Sequence, residues 1–159
     1  MRKNSTLFLQ IVIVTLGIGA LAFLLWEPHL EGRNVNATVF QIYFNDPFLV
    51  YAYTASVFFF VALHQAFKIL GCIRQNKTFS QATVKALRTI KYCAITIVAF
   101  VIGAEAYLFI ARPGDDIAGG VFIGLLMIAV FGVSVSVASM FEGVVQNSVD
   151  IKSEHDLTA

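Results

Sequence analysis

The chain has 159 residues, of which 58% are hydrophobic and only 13% charged, with a net charge of +1. A mean hydropathy of +0.78 and a charged share about half the roughly 25% usual in soluble domains exclude a water-soluble globular protein. The length leaves room for one domain, residues 1–159, and direct nucleic-acid binding is not expected of so balanced a charge.

Four apolar runs, 7–26, 48–73, 92–111 and 117–141, each reach the length of about 20 residues that crosses roughly 30 Å of hydrocarbon. They predict an all-α integral membrane protein, a four-transmembrane-helix bundle. The first run follows Arg2 and Lys3 but is too long for a secretory h-region and has no small-x-small cleavage site. Trp26-Glu27-Pro28 is expected to end it, a belt aromatic followed by a helix stop.

The connection from Glu27 to Pro47 begins polar and becomes amphipathic at Val39–Phe44, with aromatics at 40, 43 and 44 suited to an interfacial segment. It reads as a packed outer lid or a ligand-sensing surface. Asp46 is the expected N-cap of the second span and Pro47 its first helical residue. Asn36-Ala37-Thr38 matches the glycosylation pattern, which is too common to carry weight.

After Ile73 a polar turn, Arg74–Thr78, precedes Phe79-Ser80. Ser80 is a good N-cap, and Phe79 and Val84 stand where a hydrophobic staple would form. Val84, Leu87 and Ile90 make an apolar stripe beside Lys85, Arg88 and Lys91. The pattern predicts a short cytoplasmic interfacial helix between spans two and three, facing anionic headgroups at about 1 kcal/mol per cation or docking an acidic protein. Arg112–Asp116 is turn chemistry that makes spans three and four an antiparallel pair. Span four carries Gly120 and Gly124 at GxxxG spacing, which suits packing within the bundle or a homodimer face. The tail, 142–159, is acidic, with Glu142, Asp150, Glu154 and Asp156. It either folds back on the basic helix or engages another protein.

Nine of the eleven Lys and Arg residues fall in the N-terminus, the segment 68–91 and the tail, against Arg33 and Arg112 in the other two connections. The positive-inside rule therefore puts both termini in the cytoplasm of a bacterial inner membrane. Cys72 and Cys93 then sit at reducing cytoplasmic ends, without CxxC or a nearby His, and read as small apolar residues.

Two intramembrane polar groups stand out. Glu105 lies about 10 Å from the outer end of span three and is costly there. It is expected to meet Tyr51, Tyr53 or Arg112 as a structural hydrogen bond, to serve as a proton or cation site, or to stay protonated and uneventful. His64 lies deep in span two, with Thr15 or Thr96 as expected partners. A bis-histidine haem needs a second buried histidine, and His29 and His155 lie in loop and tail. No phosphate-binding loop, GxSxG, HExxH or paired carboxylate occurs, so neither enzymatic activity nor a cofactor or metal is expected. Spans one and two do not repeat in three and four, as transporter halves usually do.

At Asn76–Ile90 (NKTFSQATVKALRTI) and Val149–Thr158 (VDIKSEHDLT) the chain resembles an uncharacterised bacterial membrane family, domain of unknown function 2975. The resemblance covers nearly the whole chain, with His155 standing where asparagine is expected. It implies four spans and no assigned reaction or cofactor. It also implies a gene neighbourhood often containing a small helix-turn-helix regulator, hence a membrane component that contacts such a protein. The expected contact surface is Phe79, Ser80, Lys85, Arg88, Lys91, Asp150, Glu154 and Asp156. The alternative is a small transporter or accessory subunit with Glu105 as its ion-coupling group.

Overall fold

A computed structural model describes residues 3–30, 38–44, 47–111 and 117–158. Four long helices, α1 (Lys3–Leu30), α3 (Pro47–Arg74), α4 (Gln81–Ala111) and α5 (Ala118–Thr158), are joined by a short α2 (Val39–Phe44) between the first two. All four long helices have the length and apolarity to cross a membrane. Helix is the form such stretches must take, because lipid offers no water to unpaired backbone groups.

The local signals explain most boundaries. Pro47 opens α3, where a missing N–H costs nothing; Asn45, Asp46 and its expected capping role lie outside the described residues, as do residues 36, 37 and 112–116. Lys77 N–H bonds to the Cys72 carbonyl (2.9 Å) and Asn76 N–H to that of Ile73 (3.1 Å), while Asn76 takes φ 57°. That is a Schellman ending with asparagine in the left-handed position. Ser80 then caps α4, its Oγ 3.4 Å from the Thr83 N–H. Val84 is buried but Phe79 remains 57% exposed, so the staple leaves most of the Phe79 ring uncovered. Thr38 and Gln41 cap α2 reciprocally, Thr38 N–H reaching Gln41 Oε1 at 2.9 Å and Gln41 N–H reaching Thr38 Oγ1 at 3.4 Å.

Three expectations are corrected. No separate interfacial helix precedes span three: Gln81–Ala111 is one 31-residue helix, because Lys91 and Tyr92 offer no Gly or Pro to break the i→i−4 ladder. The tail likewise continues α5 without interruption for 41 residues, about 60 Å at 1.5 Å per residue. Pro28 does not end α1, which runs on to Leu30.

The long helices also do not close into a bundle among the described residues. They form an open row in chain order: α1 packs on α3, α3 on α4, and α4 on α5, each pair antiparallel, with α2 against the α1–α3 end. Both chain termini and the basic segment 68–91 therefore share one end of the row, the basic end. Most of the core belongs to α4 and α5. Val84, Ala86, Cys93, Ala94 and Ile97 of α4 are buried, as are Ala138 and Val145 of α5, whereas α3 buries no residue. Small side chains along that seam let the backbones approach, which is what holds helices together when lipid is as apolar as leucine.

Candidate functional site

Glu142 lies at the α4–α5 seam, one residue past the last apolar stretch. Its Oε1 accepts from Arg88 Nε at 2.8 Å and its Oε2 from Lys91 Nζ at 2.5 Å. The Glu142 side chain is 12% exposed, that of Lys91 22% and that of Arg88 54%. Arg88 and Lys91 are one turn apart on α4, so one carboxylate on the facing helix can bridge them. The two cations, Lys91 first and Arg88 second, hold the Glu142 carboxyl below the usual carboxylate range. Arg88 and Lys91 thus belong to an internal clamp fixing the extension of α5 to α4.

The remaining residues of the expected contact surface divide. Ser80 is spent as the α4 cap. Lys85, Phe79, Asp150 and Glu154 are exposed, and Asp150 accepts from Gln146 at 2.7 Å. Asp156 lies on the last turns of α5, its side chain outside the described set. The basic end thus keeps Lys85 and Phe79 open beside an acidic helical extension.

Glu105 faces α5, not α3. A Cβ built at Gly124 would overlap the Glu105 carboxyl, and one at Gly120 would stand 3.2 Å from Leu108 Cδ1. The GxxxG face is therefore turned to α4, with Gly124 as the notch that takes the carboxyl; it is not a free dimer face. Glu105 Oε2 is buried without a hydrogen-bond partner. Neither expected tyrosine meets it. Tyr51 donates to the Phe100 carbonyl at 2.8 Å, over Gly103, where a Cβ would overlap its hydroxyl. Tyr53 donates to the Leu24 carbonyl at 2.6 Å. Pro28 lacks the N–H that would normally pair with Leu24, so Tyr53 of α3 supplies the missing donor to α1. Arg112 lies outside the described residues.

His64 does not bond to Thr15 or Thr96. It is exposed on α3, and Thr96 Oγ1 donates to the Tyr92 carbonyl of its own helix. Away from the basic end, a cleft of about 390 Å³ between α3 and α4 is lined by Pro47, Phe48, Tyr51, Gly103, Ala104 and Tyr107. Tyr43 of α2 donates to the Leu25 carbonyl at 2.9 Å and packs near Tyr53 at 6.0 Å, so this part of the connection between α1 and α3 is tied down. Among the described residues no cluster of His, Cys, Asp or Glu could hold a metal ion.

Three features were missed in the sequence: the Glu142 clamp, the Tyr53–Leu24 patch and the Gly124 notch. The signal for two of them was present. Positions 105 and 124, and positions 88 and 142, are both centred near residue 115, inside the sequence that links α4 to α5.

Comparison with known proteins agrees with a place in a membrane. Residues 33–159 match the family described as "Protein of unknown function (DUF2975)". The chain is 37% identical to the "Uncharacterized membrane protein YoaS" of Bacillus subtilis (strain 168), over 99% of both chains. No solved structure matches at a significant level. With a membrane-spanning row of four helices and that match over most of its length, the chain belongs to the family of unknown function DUF2975.

Proposed function

We propose that the protein is a non-enzymatic regulatory component of the bacterial inner membrane, with both termini cytoplasmic, that contacts a helix-turn-helix regulator. The observation that carries this reading is the clamped extension of α5. Glu142 is anchored by Arg88 and Lys91, and the helix then continues to Thr158. Asp150 and Glu154 are exposed on that extension, at the same end of the row as exposed Lys85 and Phe79. Acidic and basic groups on neighbouring helices suit a protein partner that carries both signs of charge. The orientation rests on the excess of Lys and Arg at the basic end.

The test is recovery of a cytoplasmic helix-turn-helix protein by pull-down, using full-length chain and a chain truncated after Gln146. The truncation should lose the partner; equal recovery from both removes the α5 extension from the mechanism. A second reading, an ion-coupling subunit of a transporter, is favoured by the unpartnered Oε2 of Glu105, since buried carboxyl oxygens are normally satisfied. Glu105→Gln would then abolish a pH-dependent phenotype and leave partner recovery intact.

A further inference from the structure

At the basic end a cleft of about 360 Å³ opens between α3 and α4, with Gln65 and Lys68 on one wall and Gln81, Lys85 and Thr89 on the other. The two ammonium groups come from different helices, and neither has a carboxylate partner among the described residues. The acid nearest in depth, Glu142, is held by Arg88 and Lys91, and Asp150 is engaged by Gln146. Two cations lining one recess repel each other, and an anion between them removes that cost while accepting their hydrogens. The amides of Gln65 and Gln81 add neutral donors. The Thr89 hydroxyl is already given to the Lys85 carbonyl at 2.9 Å, so it shapes the wall and does not donate into the cleft.

What lies above the cleft decides which anion. Val57, Val61 and His64 are exposed on α3, at helical spacing on the face that carries Lys68. A ligand with its charge at Lys68 therefore has an apolar stripe along which to lay hydrocarbon. His64 sits one turn from Lys68, about 6 Å deeper at 1.5 Å per residue, the level of glycerol and ester groups. We propose that this cleft binds the phosphate of one anionic phospholipid between Lys68 and Lys85, its chains lying along α3. The exposed histidine then faces the polar neck of that lipid. The proposal needs only that the basic end lie at a headgroup layer; it shares Lys85 with the regulator reading, and lipid affinity tests it separately from partner recovery.

Native mass spectrometry of the full chain in detergent, titrated with phosphatidylglycerol or phosphatidylcholine, tests it. Wild type should prefer phosphatidylglycerol. The double variant Lys68→Gln, Lys85→Gln should lose about thirtyfold in phosphatidylglycerol affinity, at about 1 kcal/mol per cation and tenfold per 1.4 kcal/mol. Each single variant should lose about fivefold on the same scale. Lys68→Arg, Lys85→Arg should keep the preference, and so should Lys152→Gln on the exposed side of α5. Unchanged preference in the double glutamine variant, with helicity equal to wild type, overturns the site. If that variant does not fold, single variants that bind like wild type overturn it equally. Displacement of phosphatidylglycerol by inorganic phosphate at comparable concentration would assign the cleft to a soluble anion and overturn the lipid.

Discussion

Replacing Tyr53 by Phe removes one hydroxyl and leaves the ring, but it strips the Leu24 carbonyl of the donor that Pro28 cannot supply. That hydroxyl reaches the carbonyl at 2.6 Å from the neighbouring helix. A hydrogen bond between membrane helices is worth about 0.6 kcal/mol on average and up to roughly 1.7. An orphaned carbonyl in apolar surroundings costs about 1–3 kcal/mol. Tyr53→Phe should therefore destabilise by about 1–2 kcal/mol. Pro28→Ala restores an N–H four residues after Leu24, so in that background the same change should cost less than about 0.5 kcal/mol. The resulting coupling of about 1 kcal/mol exceeds the usual scatter of roughly 0.3–0.5 for independent sites. Whatever packing Pro28 loses cancels in the cycle. Reversible unfolding of the four proteins in mixed micelles, followed by helical circular dichroism, measures it. Equal costs of Tyr53→Phe in both backgrounds would refute the patch.

Glu142→Ala leaves Arg88 and Lys91 one turn apart with no counter-charge and should lower the thermal midpoint by several degrees. Because the carboxyl is held below its ordinary value, the stability it adds is fully present above the unfolded value of about 4.3 and is lost as pH falls through the folded one. The gap between wild type and Glu142→Ala should thus be flat from about pH 5 to 8 and narrow below about pH 4 in thermal melts. Gly124→Val should cost about 1–3 kcal/mol by driving side-chain atoms into the Glu105 carboxyl, measured by micelle unfolding. Gly132→Val, where an added Cβ meets nothing within 4 Å, should be near neutral by the same measurement. Asn76→Gly should be tolerated, whereas Asn76→Val should cost about 1–2 kcal/mol at its left-handed φ, read as a shift in unfolding midpoint.

The number of spans was legible because hydrocarbon thickness sets a length that apolar runs either reach or miss. Pro47 and Ser80 were legible as helix starts, and Arg74–Thr78 as a turn, because each acts through its own backbone. The continuity of α4 was not. A basic amphipathic stripe looks the same whether it lies on a surface or is the first two turns of a spanning helix. The partners of Glu105 failed for a related reason. Depth alone admits a tyrosine on α3 or a glycine on α5, and only the rotation of α4 chooses between them. His64 was read as inward because polar groups in lipid usually are; helix rotation again decided otherwise. Glu142 was counted with the tail's other acids, although folding the hairpin about residue 115 sets it opposite the Arg88–Lys91 pair.

Among the described residues, four rods laid side by side have two broad faces and enclose no lumen. Among the described residues the substantial contacts run neighbour to neighbour, an arrangement that does not wrap a column of water or shield a solute from lipid. Any passage through the membrane would need a second wall, built from further copies or from another protein. A device that only has to tilt, bend or hand a signal along its longest strut needs no such enclosure.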